Sequence, residues 1–368
     1  MSHEFVLTDC LESPQQTVHV SIFGSDTKTC GTSLKPCRTI AMAVDQVDWG
    51  GHIVLNGNGT KQQPFDCGND IANGHHSGIR VPRSLTMTSL GSTQAYVSCL
   101  RGIHFYRSNQ RFWITLTGIA FSGTPLKFND CSNISLVNCS LQNTREAVTV
   151  RVAKSMNTKL TVRGSLFQNN SLCMKINFEK GSGTDMEFSL HLDDSKFLKN
   201  GLNTTSLAKA GVVLSNETGF SSKIQLLITA DKIVYATNRG HFLFADLPTA
   251  VSIETYNSID LDRNHFFSTR SLYFSKVKMA IVVFVRLQCT NNYEISCLII
   301  HSRKNETLEL KVSESRFCNN SASKRMNVPI FRVMGTGARV GAIKISNTTF
   351  HKNNQTAVTV SPELHSTM

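Results

Sequence analysis

The sequence predicts an all-β chain folded as a right-handed parallel β-helix solenoid, with a short amphipathic helix capping its N-terminal end. Three features favour this fold: a recurring nine-residue pattern, short β-rich segments around each copy, and loops of varying length between copies. The chain has 368 residues with 40% hydrophobic content, which is enough to fill the interior of one long solenoid. Coils of such a solenoid stack at ~4.8 Å, so like residues form columns.

The N-terminal segment predicts a strand, a loop and a helix. Val18–Ile22 has the composition of a strand. Ile40, Val44 and Val47 recur at helical spacing on one stripe, and Gly50–Gly51 is expected to end that helix. An amphipathic helix in this place would cover the open hydrophobic end of the stack and block edge pairing.

The repeat carries an apolar residue at position 1, a small residue at position 4, Phe or Leu at position 6, and Asn or Thr at position 9. Its copies are Leu116/Ile119/Phe121/Thr124, Leu136/Cys139/Leu141/Thr144, Val162/Ser165/Phe167/Asn170, Leu192/Ser195/Phe197/Asn200, Leu261/Asn264/Phe266/Thr269, Val312/Ser315/Phe317/Asn320, Ile345/Thr348/Phe350/Asn353 and a degenerate Ile228/Asp231/Ile233/Ala236. We expect the Phe column to fill the lumen. Asn suits the corner because it tolerates left-handed backbone and can hydrogen-bond to the next coil.

A second short strand is expected after each corner. The segments with this character are Ala147–Val150, Cys173–Ile176, Gly211–Leu214, Ile330–Val333 and Ala357–Val360. A helical repeat would not tolerate such variable spacing. A pair of β-sandwiches would need turn signals every 8–12 residues or so, which the chain does not show.

The charge balance favours acidic partners. Lys and Arg total 38 against 26 Asp and Glu, a formal charge of +12, and the pI is about 9.3. Acidic polysaccharides and other extracellular proteins are the expected partners, with a solvated basic surface as the alternative. The basic residues are scattered without a Lys/Arg run, so no nucleic-acid binding is predicted. No apolar stretch reaches membrane-spanning length, so membrane contact is expected only through segments outside this sequence.

Cysteine usage predicts disulfides and no metal site. None of the eleven cysteines forms a CxxC motif, and no Cys/His cluster has zinc-ligand spacing. Short loop-closing separations occur at Cys30/Cys37, Cys131/Cys139 and Cys289/Cys297. We predict the bonds Cys30–Cys37 and Cys67–Cys99, with unrelated buried thiols as the alternative for each pair. No cofactor is predicted.

Asn-X-Ser/Thr sequons also favour the outside of the cell. They begin at Asn58, Asn133, Asn138, Asn169, Asn203, Asn216, Asn305, Asn319, Asn347 and Asn354. Cysteines and sequons together predict an extracellular or cell-surface glycoprotein. Met1–Thr8 has no signal-peptide pattern, so this location implies a fragment of a larger protein.

One stretch near the N-terminus resembles a known cap. The residues concerned are Gly24–Asp26, Cys30–Gly31, Pro36–Ile40, Ala43–Val44 and Gly51–Leu55. They resemble the N-terminal cap of pectin-lyase-like β-helix domains of large, often membrane-anchored extracellular proteins of invertebrates and protists, and the later rungs resemble the coils of that group. The likeness covers roughly 18–360. We expect an extension at 1–17, one β-helix domain at 18–360 (cap and first coil 18–66, coils 67–360), and the tail of a truncated chain at 361–368.

The same fold includes polysaccharide lyases and glycoside hydrolases, and a glycoside hydrolase uses a pair of carboxylates. Asp193 and Asp194 are the catalytic candidates; neighbouring side chains on a strand should face opposite sides, and a solvated or corner-capping role is the alternative. Further acidic candidates are Asp246, Asp260 and Asp262. The motifs expected of a pectic hydrolase are missing, since only Asn73–His76 and Arg239–His241 come near them.

The sequence therefore predicts a non-catalytic extracellular module that is structural, adhesive or glycan-binding. A polysaccharide lyase or glycoside hydrolase is the alternative function. A truncated gene product without independent function is a third possibility.

Overall fold

The computed structural model describes residues 16–57, 59–68, 78–106, 112–152, 157–179, 186–201, 211–216, 224–246, 250–262, 265–321, 331–335, 339–353 and 358–362. It contains the helix α1 (Ile40–Gln46). The strands are β1 (Thr17–Val20), β2 (His52–Leu55), β3 (Phe65–Asp66), β4 (Ile79–Val81), β5 (Leu85–Ser89), β6 (Ala95–Ser98), β7 (Ile103–Tyr106), β8 (Phe112–Thr117), β9 (Ile119–Ser122), β10 (Leu126–Asn129), β11 (Cys131–Val137), β12 (Ser140–Gln142), β13 (Glu146–Val152), β14 (Thr158–Arg163), β15 (Leu166–Gln168), β16 (Leu172–Phe178), β17 (Met186–Asp193), β18 (Lys196–Leu198), β19 (Val212–Asn216), β20 (Ile224–Ala236), β21 (Leu243–Asp246), β22 (Ala250–Asp262), β23 (His265–Val285), β24 (Gln288–Thr290), β25 (Tyr293–Ser313), β26 (Arg316–Cys318), β27 (Phe331–Gly335), β28 (Arg339–Ser346), β29 (Thr349–His351) and β30 (Val358–Pro362).

The strands stack in parallel to form three faces of a solenoid. Face 1 contains β1, β2, β5, β8, β11, β14, β17 and their successors; face 2 begins with β3, β6 and β9; face 3 begins with β4, β7 and β10. The long strands β20, β22, β23 and β25 each pair on two faces. The predicted parallel β-helix is therefore confirmed, and its expected right-handed coil agrees with the general rule for parallel connections.

Helix α1 covers the N-terminal end of the stack. It contacts β1 and β4, the first strands of faces 1 and 3, and buries Ile40, Ala43 and Val44. The Thr39 hydroxyl caps the helix by accepting from the Met42 amide at 3.3 Å. The expected stop at Gly50–Gly51 is wrong, because the chain is already extended at Val47, which remains buried.

One column of inward residues runs along face 2 through the lumen. In register from coil to coil it contains Phe65, Val97, Phe121, Leu141, Phe167, Phe197, Tyr235, Cys289, Phe317 and Phe350, and the backbone of Leu261 is paired between Tyr235 and Cys289. Phe167 and Phe197 stack with ring centroids 4.9 Å apart, and Phe317 and Phe350 with centroids 5.1 Å apart. The predicted Phe column is confirmed for these coils.

Three coils differ from the sequence prediction. The degenerate copy is shifted by two residues, because the coil uses Ala230, Ile233, Tyr235 and Asn238 at the four positions. The copy begun at Leu261 is shifted by five, since Leu261 occupies position 6 opposite Tyr235. A further coil, Phe284/Leu287/Cys289/Asn292, was missed because Cys replaces the aromatic residue. The repeat therefore continues through coils that have no Phe at position 6.

The corners use a buried asparagine ladder next to residues with left-handed backbone. Asn200 Nδ2 donates to the Phe167 carbonyl at 3.0 Å, and Asn200 Oδ1 accepts from the Asn170 amide at 3.0 Å. Left-handed backbone was expected at this Asn, but it occurs one residue earlier, as at Lys199 with φ of 55°. The role of this Asn is therefore to form side-chain hydrogen bonds between coils, and it does not itself adopt the left-handed conformation.

Eight of the described coils have two such left-handed positions each. Between faces 1 and 2 they are Gly118, Asn138, Gly164, Asp194, Lys232, Arg286, Glu314 and Asn347. Between faces 2 and 3 they are Gly123, Asn143, Asn169, Lys199, Thr237, Asn291, Asn319 and Lys352. Gly and Asn are favoured here because left-handed backbone costs most other residues about 1–2 kcal/mol.

Candidate functional site

Face 1 presents a carboxylate groove across β14, β17 and β20. Two outward columns line it, Thr161–His191–Thr229 and Arg163–Asp193–Asp231, each held in register by parallel pairing. The groove has a volume of about 500 Å³, and Lys159 also lines it. Outward and inward residues alternate along these strands, so the groove lies over a packed interior.

The two predicted catalytic carboxylates lie in different surroundings. Asp193 lies in the carboxylate groove and accepts a hydrogen bond from Arg163 Nε at 3.1 Å. Asp194 is exposed at the following corner, where its φ is 44°. The expectation that the pair points to opposite faces is wrong, because the strand ends at Asp193 and neither carboxylate faces the interior.

Asp231 is a groove carboxylate that sequence reasoning missed. It is in register with Asp193 on the next coil, and its Oδ1 is buried without a hydrogen-bond partner in the described structure. The degenerate repeat had placed Asp231 at an inward small position. Placing that coil in its correct register would have identified Asp231 as an outward residue next to Asp193.

A histidine and a threonine complete the floor of the carboxylate groove. His191 Nδ1 lies 2.6 Å from Thr229 Oγ1. Burial lowers the pKa of His191, and the positive charge of Lys159 lowers it further. At neutral pH this imidazole is therefore uncharged and can take part in hydrogen bonds as donor or acceptor.

No group of three or more His, Cys, Asp or Glu side chains suited to holding a metal ion occurs among the described residues. Asn73–His76 lies outside them, and so do the side chains of Asp246, Asp260 and Asp262. Within the same described ranges, no helix has the length and apolar character needed to cross a membrane.

Face 3 presents a basic strip on consecutive coils. This strip is the outward column Arg80, His104, Lys127, Thr149 and Lys175 on β4, β7, β10, β13 and β16. Beside it runs a second outward column of Tyr106, Asn129, Arg151, Asn177 and Ser215. Basic residues that are scattered in sequence therefore align on one face, with amide, hydroxyl and phenol groups next to them.

The cations of face 3 differ in their ionic partners. Lys175 lies 3.7 Å from Glu146, and Arg151 lies 3.7 Å from Glu179. Arg80 and Lys127 are exposed and form no ion pair with any described residue. The uncompensated positive charge of the strip is therefore concentrated on the coils around His104.

His104 lies between these two cations. Its Nε2 is buried and has no hydrogen-bond partner in the described structure. Burial lowers the pKa of His104, Lys127 and Arg80 lower it further, and a hydrogen bond to the Arg101 backbone opposes these effects. The Arg80 guanidinium carbon lies 5.9 Å from the centroid of the Tyr106 ring, within cation–π range.

The predicted disulfides Cys30–Cys37 and Cys67–Cys99 are both present, with Cα atoms 4.9 and 5.4 Å apart. Cys289 is also disulfide-bonded. The suggested Cys131/Cys139 pairing is wrong, because both thiols are free and buried in the interior. Burial raises the pKa of Cys139 to about 11, which makes it an unreactive packing residue. Disulfides of this kind indicate an oxidising compartment.

Five of the ten predicted glycosylation sites have described side chains, and all five are exposed. They are Asn133, Asn138, Asn169, Asn319 and Asn347. Four of them occupy the left-handed corner positions, where turn geometry by itself favours Asn. The other five, Asn58, Asn203, Asn216, Asn305 and Asn354, have side chains outside the described part.

Comparison with known proteins adds little to this geometry. The chain matches no protein-family model and no curated protein. Among solved structures it is similar to the selenomethionine derivative of a GH136 lacto-N-biosidase from Eubacterium ramulus, with 8% identity, 92% of this chain and 68% of that chain covered, and a TM-score of 0.20. A TM-score this low supports no functional argument, so function rests on this chain's own residues.

Proposed function

We propose that this chain is an extracellular β-helix module that binds acidic glycans, without catalysis, through the basic strip on face 3. The supporting observation is the in-register alignment of Arg80, His104 and Lys127 with no described carboxylate paired to either cation. The disulfides support an oxidising, extracellular location. A cell-surface position, glycosylation and membership of a larger protein belong to the same proposal.

The spacing of the strip suits an extended acidic polysaccharide. Arg80 and Lys127 lie two coils apart, a separation of ~9.6 Å at the usual strand spacing, and Lys175 lies two coils further. This separation is close to the length of a disaccharide. Asn129 and Asn177 provide amide groups beside the cations for hydrogen bonds to sugar hydroxyls.

The test uses two variants with equal change of charge. Arg80→Gln with Lys127→Gln should weaken binding to immobilised heparin or polygalacturonate by about two- to thirtyfold, since an exposed ion pair is worth ~0.2–1 kcal/mol. Lys196→Gln with Lys344→Gln removes two exposed charges from faces 2 and 1 and is the matched control. Equal weakening by both variants would indicate non-specific attraction. No binding by the native chain would exclude the proposal.

The carboxylate groove supports a second candidate, a glycoside hydrolase. Asp193 and Asp231 are paired in register on adjacent coils and both line the same groove, and glycosidases use two carboxyl groups that flank one bond. The unpartnered Oδ1 of Asp231 leaves one carboxylate oxygen unused by the fold. The test is to incubate the native chain with a panel of neutral and uronic polysaccharides and to measure hydrolysis products. A hydrolase should form product, and Asp193→Asn and Asp231→Asn should each abolish it. A native chain that forms no product excludes this candidate.

A further inference from the structure

His104 lies in register between two cations, and its Nε2 has no hydrogen-bond partner in the described structure. Since Nε2 has no partner, the hydrogen bond to the Arg101 backbone is made by Nδ1, which donates to the carbonyl. In this tautomer Nε2 is an acceptor, and no donor in the described structure reaches it. The charged groups facing the imidazole are Arg80 on β4 and Lys127 on β10, with Tyr106 further along its own strand β7.

An acceptor that lacks a donor is costly for the free protein, and the two cations beside it give this position a positive potential. An anionic oxygen placed over His104 would be attracted by both Arg80 and Lys127 on the flanking coils. It would also meet a lone pair on Nε2, which repels it unless that nitrogen gains a proton. The arrangement therefore links anion binding to protonation.

We propose that Arg80, His104 and Lys127 form an anion subsite that binds a sulfate or carboxylate of the glycan and takes up one proton from solvent at His104 Nε2. The proton transfer is the only covalent change: hydronium or a buffer acid gives up its proton, and Nε2 gains an N–H bond. The proton from water becomes the donor of an Nε2–H hydrogen bond to the bound oxygen. This inference rests on the proposed glycan-binding function and assigns a specific residue and a pH response to it.

The direction of the pH response follows from the charges. In the free chain, burial and the two cations hold the pKa of His104 below its usual 6.5, so the ring is neutral at pH 7. A bound anion adds a negative charge and a hydrogen-bond acceptor, both of which raise that pKa. Affinity should therefore increase as the pH falls, by at most about tenfold per pH unit for one coupled proton.

The experiment measures the affinity of a heparin-derived oligosaccharide between pH 8 and pH 5, since sulfates stay ionised throughout. The native chain should bind more tightly as the pH falls, and His104→Gln should give a flat pH profile. His52→Gln is the matched control, because His52 is also half-buried with a lowered pKa but lies on face 1. It should keep the native pH response.

The outcomes distinguish failure of the anion subsite from failure of the proposed glycan-binding function. A His104→Gln chain that keeps the native pH response overturns the subsite, while the face 3 function stands. A native chain that does not bind at any pH overturns the proposed function itself. If His104→Gln fails to fold, the imidazole resonance of His104 is titrated in the native chain with and without oligosaccharide. A raised pKa on binding supports the subsite, and an unchanged pKa overturns it.

Discussion

Replacing Phe197 with alanine tests the register of the lumen. Phe197 has no exposed surface, and its ring centroid lies 4.9 Å from that of Phe167, 5.8 Å from Phe242 and 6.3 Å from Tyr235. Truncation of such a side chain costs about 3–5 kcal/mol. The stack with Phe167, a further ~0.5–1.5 kcal/mol, is lost as well, which places the expected loss in the upper half of that range.

The assay is chemical denaturation followed by circular dichroism, with the slope compared between variants so that a midpoint shift reports stability. Phe23→Ala is the control, because Phe23 is 78% exposed and its loss should change stability by less than about 0.5 kcal/mol. Phe197→Leu should cost less than Phe197→Ala, since Leu141 occupies the equivalent position two coils earlier. An alanine variant as stable as the native chain would refute the inward register of this column.

Three further predictions concern corners and cap. Asn200→Ala should cost roughly 2–6 kcal/mol in denaturation, because the buried Asn170 amide and Phe167 carbonyl each lose a partner; a loss below ~1 kcal/mol would contradict the ladder. Glu314→Gly should stabilise by up to about 1 kcal/mol, since glycine relieves left-handed backbone at a small entropic cost, and an unchanged or lower melting temperature would contradict this. Replacing both Cys30 and Cys37 with serine should cost about 2–3 kcal/mol for a loop of this length and expose β1 and α1 to hydrogen exchange before later coils; uniform exchange would contradict a local effect.

The sequence was sufficient for the solenoid because inward columns require like residues at fixed offsets. It failed at Ile228 and Ile233 for a physical reason: both residues are buried and point inward, so their apolar spacing alone does not show which repeat position each one occupies. At Cys289 the lumen position is filled by a disulfide-bonded cysteine instead of a ring, and a pattern based on Phe cannot detect it.

The candidate sites were harder to predict because they depend on register between coils. Arg80, His104 and Lys127 are more than twenty residues apart in sequence and become neighbours only when coil lengths are known. Asp231 could not be predicted as a groove residue for the same reason, since its coil had been placed two residues out of register. Asp193, which lies at the end of a correctly placed coil, was found.

The central claim, that face 3 binds acidic glycans around His104, is tested most directly by a crystal structure of the chain with a sulfated oligosaccharide. We predict a sulfate over His104, contacted by Arg80 and Lys127, with the sugar chain running across β4, β7 and β10 along the solenoid axis. An oligosaccharide bound instead beside Asp193 in the carboxylate groove of face 1 would contradict the claim.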